Sequence, residues 1–159
     1  MSVSGRWWIV RRYLVVANQT LGGEELWGAI RERIAQGDCH FHLLVPATAA
    51  ARLDPGSTTE AAAQGGAGED LGRRLARQRM RHELDRMREL GASVSGEIGV
   101  ADPVDAVRVV LHRWEFDEVI LSTLPGRRSR WLAADLPTKI RRGFKLQVTQ
   151  VTGATAAKG

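Results

Sequence analysis

The sequence predicts an α/β fold, a three-layer α/β/α domain with a five-stranded parallel sheet and helices on both faces. Three observations predict it. Five short apolar runs alternate with four segments of helical periodicity, and parallel strands need helix-sized crossovers between them. The length of 159 residues suits one domain. A composition of 43% hydrophobic and 26% charged residues supplies a core and a solvated surface without staples.

The elements follow in order. Residues 13–17, YLVVA, form the first strand, ended by Asn18, and Gly22–Gly23 mark a turn. A helix from about Glu24 to Gln36 carries Leu26, Ala29, Ile30 and Ile34 on one face, with acids in its first turn and Gly37 as its stop. FHLLV at 41–45 is the second strand, halted by Pro46. The stretch 47–68 is rich in Ala, Gly, Ser and Thr and has no period, which predicts a mobile loop inside one domain of residues 1–151. A second helix, about Glu69 to Leu90, turns Ala76, Met80, Leu84 and Met87 inward and carries seven arginines on its other sides. Gly91 closes it, and ASVSGEI is the third strand.

Asp102 and Pro103 open a third helix with Val104, Val107, Val110 and Leu111 inward. EVILS at 118–122 is the fourth strand, and a Pro-Gly-Arg loop leads to a last helix ending near Arg142. LQVTQV at 146–151 is the fifth strand, and residues 152–159 form a frayed tail. In such sheets ligands bind outside the carboxyl ends of the strands, where the strand order reverses. The segments 18–23, 46–51, 99–102 and 123–130 are therefore the candidate crevice.

Composition excludes several classes. Cys39 is the only cysteine, so no internal disulfide or thiol-based zinc site is available, which fits a reducing compartment. The longest apolar runs reach about five residues, against about 20 for a membrane span. The arginine-interrupted N-terminus has no cleavage site of small residues, and a cytoplasmic location is the expectation. Charge is uneven: from Leu121 onward eight basic residues face one acid, Asp135, a net +7 within a total of +5. A basic end of this kind attracts anions.

Several motifs resemble the universal stress protein family. They are GVADPVDAV at the third helix, the strand FDEVILST and the basic segment SRWLAADLPTKIRRGFKLQVTQV. The match is best from about Leu71 to Val151. The resemblance implies a sheet of order 3-2-1-4-5 of the adenine-nucleotide alpha hydrolase-like type, in a cytoplasmic homodimer joined through its fifth strand. It also implies a binding or regulatory role in stress response, with a protein partner as a further candidate. Many members wrap ATP phosphates in a G-x-x-G-x9-G-[ST] loop after the fourth strand.

Here the pattern departs. The first glycine falls on Ser122 and the second near Pro125. The final Gly-Ser falls on Ala134–Asp135 or Asp135–Leu136, and Gly126 stands out of register. Glycines serve such loops because backbone amides must touch phosphate oxygens, which a β-carbon or a proline prevents. Asp135, followed by Pro137, reads as an N-cap whose carboxylate would occupy the amides of the last helix and repel a triphosphate. Where relatives end the first strand with aspartate, this chain has Asn18 or Gln19.

The leading expectation is a non-catalytic domain with a degenerate ATP site and no cofactor. The alternative is an altered site that holds ATP, another adenine nucleotide or a small anion with Asn18, Gln19, Gly126, Arg127, Arg128 and Ser129, arginine forks replacing glycine amides. Nucleic-acid binding by the basic C-terminal third is disfavoured, because Trp131 and Phe144 are its only aromatic residues. Cys39 faces away from His40 and His42 on a strand, so no metal is expected. Asp102 and Asp105 are explained as a cap and a first-turn acid, and no catalytic residue is assigned.

Overall fold

Strand β1 (Arg11–Val16) lies at the centre of the sheet because it is apolar on both faces. Helix α1 (Glu24–Gln36) follows, then β2 (Cys39–Pro46), α2 (Gly66–Glu89), β3 (Ser93–Gly99), α3 (Pro103–Arg113), β4 (Glu118–Thr123), α4 (Leu136–Phe144) and β5 (Gln147–Thr152). The computed structural model describes residues 10–18, 20–47, 66–124 and 135–153, with the backbone alone for 66–70. The sheet order is β3-β2-β1-β4-β5 and every pairing is parallel, as expected.

Side-chain alternation along β1 divides the core in two. Tyr13, Val15 and Ala17 meet Phe41, Leu43 and Val45, beneath Leu26, Trp27 and Ile30 of α1 and Ala76, Met80, Leu84 and Met87 of α2. On the opposite face Leu14, Val16, Leu44, Val119 and Leu121 pack under Ala106, Val107 and Val110 of α3 and Leu136 and Ile140 of α4. Each fully buried apolar side chain contributes about 1.5–3 kcal/mol by leaving water. A Cβ on Gly99 would lie 2.8 Å from Ala106 Cβ, so this glycine lets α3 sit against edge strand β3.

Most expected elements stand within two residues of their observed bounds; α2 begins at Gly66, three residues earlier than expected. Residues 48–65 of the expected loop lie outside the described residues, as do Trp7, Trp8 and residues 154–159. The last strand runs to Thr152, and the Gly153 N–H donates to Thr123 O at 3.0 Å. Trp27, absent from the expected apolar stripe of α1, is fully buried. Its Nε1–H donates to Glu83 Oε1 at 2.8 Å, and the Arg86 guanidinium lies 4.2 Å from its ring centroid, joining α1 to α2.

Helix starts differ in a way that bears on the expected site. Asp102 caps α3 from extended backbone, its Oδ1 accepting from Val104 N at 2.8 Å and Asp105 N at 3.1 Å. Asp135 also occupies the N-cap position, of α4, but at φ 57 and ψ 40 it makes no side-chain capping bond. The expectation that its carboxylate occupies those amides is corrected. A capping side chain needs extended backbone to fold over the N2 and N3 amides, and the left-handed conformation turns it aside. Among the described residues the Asp135 carbonyl is engaged, accepting from Lys139 N at 3.1 Å.

Candidate functional site

The chain turns outward from β1 to β2 and β3, then returns to place β4 and β5 on the other side of β1. The order therefore reverses between β1 and β4, and the crevice lies above their carboxyl ends. Among the described residues it is bounded by Asn18 and Thr20 after β1, Pro46 at the end of β2, and Ser122 and Thr123 at the end of β4.

The turn after β1 is held by Leu21 N–H donating to Asn18 O and Gly23 N–H donating to Thr20 O, both at 3.1 Å. Gly22 sits at φ 86, a conformation that glycine adopts without steric cost. This turn directs two polar side chains inward. Thr20 reaches β4, where Ser122 Oγ–H donates to Thr20 Oγ1 at 2.6 Å and Thr20 Oγ1–H donates to Ser122 O at 3.3 Å. Both residues are buried. The hydroxyl of Ser122, where the resemblance places a glycine, thus ties the β1 turn to the end of β4.

Asn18 is 4% exposed and its amide is engaged at both ends. Nδ2 donates to Pro46 O at 2.7 Å, and Oδ1 accepts from Arg79 Nη1 at 2.8 Å. Of the predicted site residues the structure places Asn18 alone at the crevice; Gln19, Gly126, Arg127, Arg128 and Ser129 lie outside the described residues. Sequence reasoning missed Arg79. Its signal was positional: Arg79 stands three residues after Ala76 and one before Met80, on the buried stripe of α2. Loss of hydration on burial holds its guanidinium below the usual arginine value.

Away from the crevice, two polar clusters serve the fold. Arg33 Nη2 lies 2.6 Å from Glu118 Oε2 in a largely buried ion pair, and Thr149 Oγ1–H also donates to that carboxylate. On the α3 side of the sheet, Glu97 accepts from His42 Nε2–H at 2.7 Å and from Arg113 Nη2 at 2.5 Å. His42 Nδ1 and His40 Nε2 both lie within hydrogen-bond distance of Ser95 Oγ, at 2.7 and 2.8 Å, and His40 Nδ1 lies 2.8 Å from Ser93 Oγ. A hydrogen-bonded chain thus runs from Ser93 through His40, Ser95 and His42 to Glu97, whose carboxylate can only accept. Burial, then the charges of Arg12 and His42, hold the His40 pKa below its ordinary value.

Cys39 packs against the opposite face, and burial followed by the Asp38 charge raises its thiol pKa, the reverse of what a nucleophile needs. Among the described residues no group of three or more His, Cys, Asp or Glu could hold a metal ion. No helix among them is long and apolar enough to cross a membrane.

No protein-family model and no curated protein matches this chain by sequence. Solved structures do match. A universal stress protein in complex with cAMP is 17% identical, with a TM-score of 0.57 over 91% of this chain and 98% of the other. A universal stress protein from Archaeoglobus fulgidus is 14% identical, with a TM-score of 0.56 over 90% and 94%. A universal stress protein family protein from Arabidopsis thaliana, with AMP bound, is 10% identical, with a TM-score of 0.55 over 94% and 95%.

Proposed function

We propose that this chain, which has the fold of the universal stress proteins, is a non-catalytic regulatory domain that binds a nucleoside monophosphate or similar small anion in the β1–β4 crevice. Its triphosphate corner is degenerate. The observation that carries the reading is the buried hydroxyl pair of Ser122 and Thr20, 2.6 Å apart. It fills the end of β4 with side chains where a phosphate loop presents bare main chain.

Helix α4 supports the same reading. Its cap, Asp135, has the positive φ that glycine favours, which aligns the final glycine of the family pattern with Asp135. The Ser or Thr of the pattern then falls on Leu136, a buried apolar residue that offers no hydroxyl to a phosphate. Asp135 is exposed and its carboxylate repels a triphosphate without covering the helix amides. Two of the similar structures carry cAMP and AMP, each with a single phosphate. The described polar side chains of the crevice are an amide, hydroxyls and a guanidinium, a set suited to binding.

Assembly as a homodimer through β5 belongs to this reading. Among the described residues β5 is an edge strand, and pairing with a second copy would cover its outer backbone groups. The expected location is the cytoplasm. Calorimetric titration with AMP and with Mg–ATP tests the ligand assignment. AMP binding at least tenfold tighter than Mg–ATP is the expected result, and tighter binding of Mg–ATP overturns it.

A further inference from the structure

We infer that Arg79 reads the anionic group of the ligand, at the β1–β2 end of the crevice and not at the start of α4. This rests on the assignment of the crevice as a nucleotide site and adds the residue and the end at which charge is recognised.

Arg79 stands on the inward stripe of α2, and long side chains on a helix lean toward its N-terminus. For α2 that direction leads to the carboxyl ends of the strands, where Arg79 Nη1 meets Asn18 Oδ1 at 2.8 Å. Among the described residues, the other arginines turned toward the protein interior have an acid or an aromatic ring beside them. Arg33 is paired with Glu118 and Arg86 with Glu83, while Arg12 lies over the rings of Trp114 and Phe116. Arg79, half-buried and desolvated, has no carboxylate partner and no ring contact among the described residues.

Among the described residues its one hydrogen-bond partner is a neutral amide. Asn18 is fixed from behind by its own bond to Pro46 O, so it orients the guanidinium without cancelling the charge. A guanidinium has five N–H donors in a planar fork that matches phosphate oxygens two at a time. Positioning in advance lowers the ordering cost of binding. The chemistry recognised is a phosphate group, carried by a nucleotide or free in solution.

The test compares AMP, adenosine and inorganic phosphate on the full chain, by calorimetry and thermal shift. Wild type is expected to prefer AMP to adenosine by tenfold or more, the scale of a charge-assisted bidentate contact. Arg79→Met should collapse that ratio toward one and leave adenosine affinity unchanged, and Arg79→Lys should restore part of it. Asn18→Asp, which places a carboxylate against the guanidinium, should collapse it as well. Arg127→Ala with Arg128→Ala should preserve it. A ratio that survives Arg79→Met overturns the inference. If neither AMP nor adenosine binds, the nucleotide assignment falls, and stabilisation by inorganic phosphate that is lost in Arg79→Met still supports Arg79 as an anion-binding residue. Phosphate stabilisation that is absent in wild type, or equal in wild type and Arg79→Met, overturns the inference.

Discussion

The Thr20–Ser122 contact can be measured as a coupling energy. Ser122→Ala removes the 2.6 Å bond between hydroxyls and leaves Thr20 Oγ1–H its bond to Ser122 O. One buried neutral hydrogen bond is worth about 1 kcal/mol. Thr20→Val removes both bonds and strands the Ser122 hydroxyl in a site only 2% exposed; an unsatisfied buried donor costs about 1–3 kcal/mol. In the double variant nothing is stranded, so the single losses do not add. The expected coupling is about 1–2 kcal/mol. At this chain length each kcal/mol corresponds to a Tm change of about 2–4 °C. Urea unfolding of the four proteins, with unchanged m-values, gives the coupling directly. A coupling below about 0.3 kcal/mol would refute the claim that the two hydroxyls close the end of β4 together.

Acidification below neutral pH should destabilise the fold. His40 is held below its ordinary pKa by burial, then by Arg12 and His42, so the unfolded chain takes up the proton first. Stability is therefore lost as pH falls from about 6.5, the unfolded value, through the lower folded one, and His40→Gln should flatten that part of a urea-midpoint profile. Burial alone would raise the Glu97 pKa, but hydrogen bonds and charges from Arg113 and His42 outweigh it and lower it. Its contribution is present above the unfolded carboxylate value and disappears as pH falls through the folded one, extending the loss below about pH 4.5. Glu118→Ala should cost about 3–5 kcal/mol by leaving the interior Arg33 uncompensated, whereas Arg33→Met with Glu118→Leu should cost far less; a single-variant loss under about 1 kcal/mol contradicts this. Light scattering should return twice the chain mass of 17.5 kDa, and a clean monomer at high concentration argues against pairing through β5.

The fold was legible because its signal is periodic. Five apolar runs and four helical stripes are dictated by burial on alternate or every third to fourth position, and the structure keeps each of them. The site was legible only in part. Asn18 was found from its place at the end of β1, but not its partners, since Arg79 and Pro46 come together only through tertiary packing. Arg79 and Glu83 were hidden among the charges of α2, although both fall on the inward stripe beside Met80 and Leu84. A charge on a buried stripe is a signal that counting arginines by helix side overlooks. Asp135 was correctly placed as the residue before α4, but sequence carries no sign of its backbone angle, and that angle decides whether the carboxylate caps the helix. Asp102, with the same role and extended backbone, behaved as a capping aspartate should.

A crystal structure of the protein grown with Mg–ATP addresses the phosphate corner most directly. The account predicts an intact Ser122–Thr20 contact and no triphosphate against the first turn of α4. A triphosphate seated on the amides at Leu136 and Thr138, with Asp135 holding its magnesium, would contradict it.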